Sequence, residues 1–64
     1  EGMDRMAQKV IEEAGETSIA ALRGDKEHLV RELADLWYHV LVVMAASEVR
    51  PEDVWRELRS RRSG

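Results

Sequence analysis

Small and apolar residues recur at three- and four-residue spacing from the start of the chain: Met3, Met6, Val10, Ala14, Thr17 and Ala21. That period makes one stripe on an α-helix and predicts a helix from residue 3 to about 23. Gly2 precedes it, and Asp4 lies in its first turn, where negative charge suits the helix dipole. Gly24 is placed to close it in the left-handed conformation. Asp25 is a good N-cap for a second helix over about 26 to 48. The first half of that helix is amphipathic, with Leu29, Val30, Leu33 and Leu36 set against Lys26, Glu27 and Arg31. The second half is not. From Leu36 to Ala46 the polar side chains are Tyr38 and His39, and the apolar ones point in every direction. A helix that is apolar all round must be buried all round.

Two short helices of the same chain cannot wrap such a segment. A second copy is therefore expected, with Trp37, Val40, Leu41 and Met44 in a dimer core of bundle type. Tyr38 is read as a core residue whose hydroxyl has a partner. Pro51 at the first helical position, followed by Glu52 and Asp53, opens a third helix. Val54, Trp55 and Leu58 give it a narrow apolar face down to about Arg59, and Ser60 to Gly64 is expected to fray. No segment alternates like a strand. The predicted fold class is all-α: a helical hairpin plus a third helix, forming a four-helix-type bundle core by homodimerisation.

Length sharpens that expectation. Sixty-four residues make one small domain, 1–64, and a chain this short buries too little surface to be comfortably stable alone. It has no cysteine, so neither disulfides nor a thiolate zinc site can staple it. Charged residues make up 36% of the chain and the net charge is −3, which argues against a nucleic-acid binder with a broad basic surface. The locally basic run Arg56 to Arg62 reads as a solvated helix end favoured by the dipole. There is no apolar run long enough to span a membrane and no secretory signal pattern.

Candidate chemistry lies in the acids. Glu16 and Glu32 each stand eight residues from Gly24, and Glu13 and Asp35 each stand eleven from it. Folded as an antiparallel hairpin, Glu16 and Glu32 share one level, with Glu13 and Asp35 about one turn further on. Four carboxylates at matched heights can hold a divalent cation, while an ordinary solvated polar face is the plainer alternative. The acids are clustered rather than interleaved with Lys or Arg at the next turn, so they repel one another and a cation would relieve it. Hard carboxylate oxygens favour Mg²⁺ or Mn²⁺ over zinc. A di-iron bundle needs Glu-x-x-His pairs, whereas Glu32 is followed three residues later by Asp35. By the same mirror arithmetic Lys9 faces His39, and a cationic side chain there can hold a phosphate. His39 reads either as a hydrogen-bonded core residue or as part of the site. His28 reads as structural or exposed. Gly15, mid-helix, is either simply tolerated or marks the close approach of a helix or ligand.

Gln8-Lys9-Val10 with Glu12-Glu13-Ala14-Gly15-Glu16, then Glu32-Leu33-Ala34-Asp35-Leu36-Trp37-Tyr38-His39, resembles the phosphoribosyl-ATP pyrophosphohydrolases. These belong to the all-α NTP pyrophosphohydrolase superfamily, with MazG-type proteins and dimeric dUTPases. The four-carboxylate pattern is shared across the superfamily. The Gln-Lys-Val and Tyr-His elements and the short Arg23-Gly24-Asp25 turn point to the histidine-pathway member. The resemblance runs from about Gly2 to Leu58.

It implies hydrolysis of phosphoribosyl-ATP to phosphoribosyl-AMP and pyrophosphate, the second step of histidine biosynthesis, in a cytoplasmic, Mg²⁺-dependent homodimer. The implied metal ligands are Glu13, Glu16, Glu32 and Asp35. Glu12 matches the first acid of the motif, a second-metal ligand or water-orienting base, and Lys9 is assigned to substrate phosphate with His39 beside it. Either Glu12 or Glu16 can take the proton of the attacking water. Family members carry a helical segment ahead of the position of Glu1, and in some bacteria the domain is fused behind a phosphoribosyl-AMP cyclohydrolase. Two rival readings stand beside this one: a pyrophosphatase for other (deoxy)nucleoside triphosphates, and a non-enzymatic helical dimerisation module.

Overall fold

The computed structural model describes residues 2–62, and every secondary-structure element within them is helical. Helix α1 spans Met3–Arg23, α2 spans Lys26–Ala46 and α3 spans Pro51–Arg62. The expected all-α hairpin with a third helix is therefore the observed one.

The hairpin turn is built by two residues. Gly24 sits at φ 75°, in the left-handed region, and its N–H donates to the Ala21 carbonyl. Glycine takes that conformation without steric cost. Asp25 then caps α2, its Oδ1 accepting the His28 N–H at 3.2 Å. So short a connection leaves α1 and α2 antiparallel neighbours.

Helix α2 stops at Ala46, two residues short of the expected end. Glu48 takes φ 59°. The Glu48 and Val49 N–H groups donate back to the carbonyls of Ala45 and Met44, at 3.2 and 2.9 Å. This is a Schellman closure with a glutamate where glycine is usual. A non-glycine residue there costs roughly 1–2 kcal/mol, and without a glycine the sequence carries no stop signal. Helix α3 is longer than expected. Its start is pinned by Asp53, whose Oδ2 accepts the Arg50 N–H at 2.9 Å, while its own N–H returns to the Arg50 carbonyl at 2.9 Å. Ser60, Arg61 and Arg62 are helical rather than frayed. Arg61 Nε donates to Glu57 Oε2 one turn back at 3.0 Å, and the arginines of the last turn suit the dipole. Ser63 and Gly64 lie outside the described residues.

Helices α1 and α2 pack along each other, and α3 barely touches that hairpin. The packed line of α1 runs through Met6, Val10, Glu13, Thr17 and Ala20, not through Ala14 and Ala21, which are exposed. Met6, Val10 and Thr17 of the predicted stripe lie on it, whereas Ala14 and Ala21 give way to their neighbours Glu13 and Ala20, an inward acid being invisible to an apolar pattern. Thr17 Oγ1 donates to the Glu32 carbonyl at 3.3 Å and ties the two helices at that level.

The chain measures 36 × 33 × 15 Å. Its short dimension is close to the roughly 10–12 Å diameter of one helix with side chains, so it forms a single layer. Among the described residues, Ala20 is the one buried hydrophobic side chain. Trp37 and Trp55 are 67% and 58% exposed. Tyr38, expected in the core, is 63% exposed, with its ring edge-on to His39 at 5.1 Å. A groove of about 470 Å³ between α2 and α3 is lined by Trp37, Val40, Leu41 and Met44, together with Pro51, Val54 and Trp55. Among the described residues no helix is long and apolar enough to cross a membrane.

Candidate metal centre

The α1–α2 seam brings Glu13, Glu16 and Glu32 together. One carboxylate oxygen from each lies within 4.8 Å of the others. Glu13 is 8% exposed, Glu32 is half-buried, and Glu16 stands at the solvent edge. Three ionised carboxylates this close repel one another. The helices pack in spite of that repulsion.

Each of the two inner acids is held on one side only. Glu13 Oε2 lies 3.8 Å from Lys9 Nζ and 4.0 Å from His39 Nδ1. Glu32 Oε2 lies 3.0 Å from His28 Nε2. Their second oxygens, Glu13 Oε1 and Glu32 Oε1, are buried with no hydrogen-bond partner. An unsatisfied buried acceptor costs about 1–3 kcal/mol, and more when charged. Hard carboxylate oxygens grouped this closely, with Glu13 and Glu32 each keeping one buried oxygen unpartnered, suit an oxygen-loving divalent cation such as Mg²⁺ or Mn²⁺.

Glu16 shows the crowding directly. The neighbouring Glu32 carboxyl, which can accept the proton of a protonated Glu16, holds it above the ordinary glutamate value, with the charges of Glu13 and Glu32 and a little desolvation adding to the effect. Such a shift is expected where like charges share a site.

The other predicted residues surround this trio. Asp35 is exposed and stands outside the close group; its backbone carbonyl accepts from His39 Nδ1 at 2.9 Å. Because a carbonyl only accepts, the proton is on Nδ1, and a neutral His39 keeps Nε2 as an acceptor. Lys9 faces His39 as the mirror arithmetic expected, in that both approach the same oxygen of Glu13. Lys9 also lies 3.7 Å from Glu12 Oε1. Glu12 is exposed and accepts from Gln8 Nε2 at 3.1 Å. Gly15 has open space where a Cβ would sit, so no helix of this chain approaches it closely.

The sequence profile of phosphoribosyl-ATP pyrophosphohydrolase matches residues 1–62. The chain belongs to the phosphoribosyl-ATP pyrophosphohydrolase family. It is 52% identical over 60 residues to the phosphoribosyl-ATP pyrophosphatase of Chromobacterium violaceum, covering 94% of this chain and 56% of that protein. It is 51% identical over 61 residues to the enzyme of that name from Saccharolobus solfataricus, covering 95% and 65%. With the Neisseria gonorrhoeae phosphoribosyl-ATP pyrophosphatase the identity is 48% over 63 residues, covering 98% and 58%. The chain thus spans a little over half to about two thirds the length of these curated relatives. In this family member the grouped acids Glu13, Glu16 and Glu32 all come from the α1–α2 hairpin.

Proposed function

We propose that the chain hydrolyses phosphoribosyl-ATP to phosphoribosyl-AMP and pyrophosphate, the second step of histidine biosynthesis, as a cytoplasmic Mg²⁺-dependent enzyme that also accepts Mn²⁺. One observation carries the reading: in a member of this family, two carboxylates each keep one buried oxygen unpartnered beside a third acid. Glu13, Glu16 and Glu32 are the inner ligands, and Asp35 joins them from the exposed edge.

When bound, the cation neutralises phosphate charge and eases ionisation of a water. The chain's own residues supply the rest. Glu12 or Glu16 takes the proton of the attacking water, whose oxygen bonds to a phosphoanhydride phosphorus as the bond to the leaving phosphate oxygen breaks. Lys9 binds the substrate phosphates, joined by His39 when its ring carries a proton on Nε2 as well and so donates from both nitrogens. The protein's net charge of −3 makes a cation necessary, because bare carboxylates repel a polyphosphate.

A second copy of the chain completes the fold in this reading. A single 15 Å layer with one buried hydrophobic side chain among the described residues lacks the second packed layer that domains need, and the Trp37–Trp55 groove is apolar throughout. Pairing with a phosphoribosyl-AMP cyclohydrolase, fused or separate, would consume the product.

Pyrophosphate release from phosphoribosyl-ATP, ATP, dUTP and dCTP, measured with Mg²⁺ and with chelator, tests the activity. Preferential, Mg²⁺-dependent turnover of phosphoribosyl-ATP is expected. Turnover of the deoxynucleotides instead points to a related triphosphate pyrophosphatase. No turnover, together with no thermal stabilisation by millimolar Mg²⁺, leaves a dimerisation module, because a ligand that binds only the folded state must stabilise it.

A further inference from the structure

We infer that His28 is a positioning residue for the cation ligand Glu32. It fixes Glu32 Oε2 so that Oε1 is the oxygen presented to a divalent cation. This rests on the carboxylate-site reading above and adds to it a residue outside the acid motif.

Glu32 is held at both ends. Its backbone carbonyl accepts from Thr17 of α1, which sets the height of α2 against α1 at this point. Its side chain is fixed by His28 one turn earlier on the same helix, with Nε2 3.0 Å from Glu32 Oε2. His28 is itself set by the start of the helix, where its backbone N–H donates to Asp25 Oδ1. A carboxylate in its ionised form only accepts, so the ring nitrogen is the donor and the neutral ring carries its proton on Nε2. With Oε2 engaged, the buried and unpartnered Oε1 is what Glu32 has left to offer. A carboxylate free to rotate would present either oxygen and lose rotamer freedom on binding. One clamped from behind is already oriented, as partners of metal-ligating groups commonly ensure.

The helix shows what can replace the imidazole. In α1, Gln8 Nε2 reaches Glu12 Oε2 at 3.1 Å across the same four-residue spacing. A glutamine at position 28 therefore supplies the donor without the ring, whereas a leucine fills similar space without it.

The test is Mn²⁺ affinity of the full chain, read from the paramagnetic resonance signal of free Mn²⁺ at about pH 8.5, above the ordinary histidine range. His28→Leu is expected to bind Mn²⁺ about 10-fold more weakly than wild type, and His28→Gln to stay within about 3-fold of it, in line with the usual effect of removing an outer partner. Helix content by circular dichroism should be equal in all three. Equal affinity in His28→Leu and wild type overturns the inference, and so does a His28→Gln protein as weak as His28→Leu, which would make the ring itself a ligand. Should His28→Leu not fold, the ring ¹⁵N shifts of wild-type His28 decide: the Nε2–H tautomer supports the clamp, and the Nδ1–H tautomer overturns it. A wild-type chain that binds no Mn²⁺ at millimolar concentration sinks the carboxylate site itself, and the clamp with it.

Discussion

Glu13 and Glu32, on different helices, each turn one carboxylate oxygen toward a basic residue and keep the other buried without a partner. Neither arrangement helps the hairpin fold. Replacing either acid by the neutral isostere should therefore separate stability from function. Glu13→Gln and Glu32→Gln are each expected to lower Mg²⁺-dependent pyrophosphate release by on the order of 10³, the rate equivalent of several kcal/mol of lost cation stabilisation. The metal-free melting temperature should not fall. Steady-state assays with melting curves in chelator check both halves, and full activity in either variant removes that acid from the site.

Glu16 gives a pH signature. Its folded value is raised by Glu32 and by the charge of Glu13, so the folded chain holds this proton more tightly than the unfolded chain. Its contribution to stability is present at pH below the ordinary glutamate range and is lost as pH rises through the raised value. In chelator, the wild-type melting temperature should thus fall relative to Glu16→Gln as pH climbs above that range. Millimolar Mg²⁺ should cancel the difference by neutralising the site. Parallel melting curves for the two proteins across that range would count against the assignment.

Gly15 separates its two sequence readings. Among the described residues no atom stands where its Cβ would be, so Gly15→Ala should stabilise the helix by about 0.5–1 kcal/mol. It lies next to Glu16 and one turn from Glu12. If the space above it receives substrate, KM for phosphoribosyl-ATP will rise while stability improves. An unchanged KM assigns the glycine to mere tolerance.

Trp37 and Leu41 line the apolar groove and are more than half exposed. A charge at position 41 has no place in a bundle core. Leu41→Glu is expected to convert a sedimenting dimer to monomer and to lose most of its helical signal, because the single layer does not stand alone. A folded, monomeric wild type in the ultracentrifuge would overturn the second copy. A dimer indifferent to Leu41→Glu would place the interface elsewhere.

The helices, their starts and the Gly24–Asp25 turn were legible in the sequence because each rests on local chemistry: a 3.6-residue period, an aspartate cap, a glycine closure. What escaped was set by neighbours. Glu13 was left off the apolar stripe, yet it lies on the packed line of α1, where an acid displaces the apolar residue that periodicity expects. The end of α2 escaped because Glu48 adopts a glycine conformation. The length of α3 escaped because ion pairs such as Glu57–Arg61 extend a helix past its apolar face. Tyr38 was assigned to a core that one chain does not enclose. Of the site, the Glu13–Glu16–Glu32 grouping followed from symmetry about the turn, whereas His28 could have been found only by noting its four-residue spacing to Glu32.

That two-residue turn also restricts how the chain can vary. One residue added inside α1 after Glu16, or inside α2 before Glu32, would advance the chain beyond it by about 1.5 Å and rotate it by about 100° relative to the turn. Glu32 would be carried off the seam and Thr17 would lose its carbonyl. Deletions do the same in reverse. Insertions inside these helical stretches that are compatible with the site must come as whole helical turns, three or four residues at a time, or fall after Ser47, beyond the carboxylates. In working relatives, then, the spacing between the two acid motifs should be either fixed or quantised by the helix repeat, while the α2–α3 connection is free to differ in length.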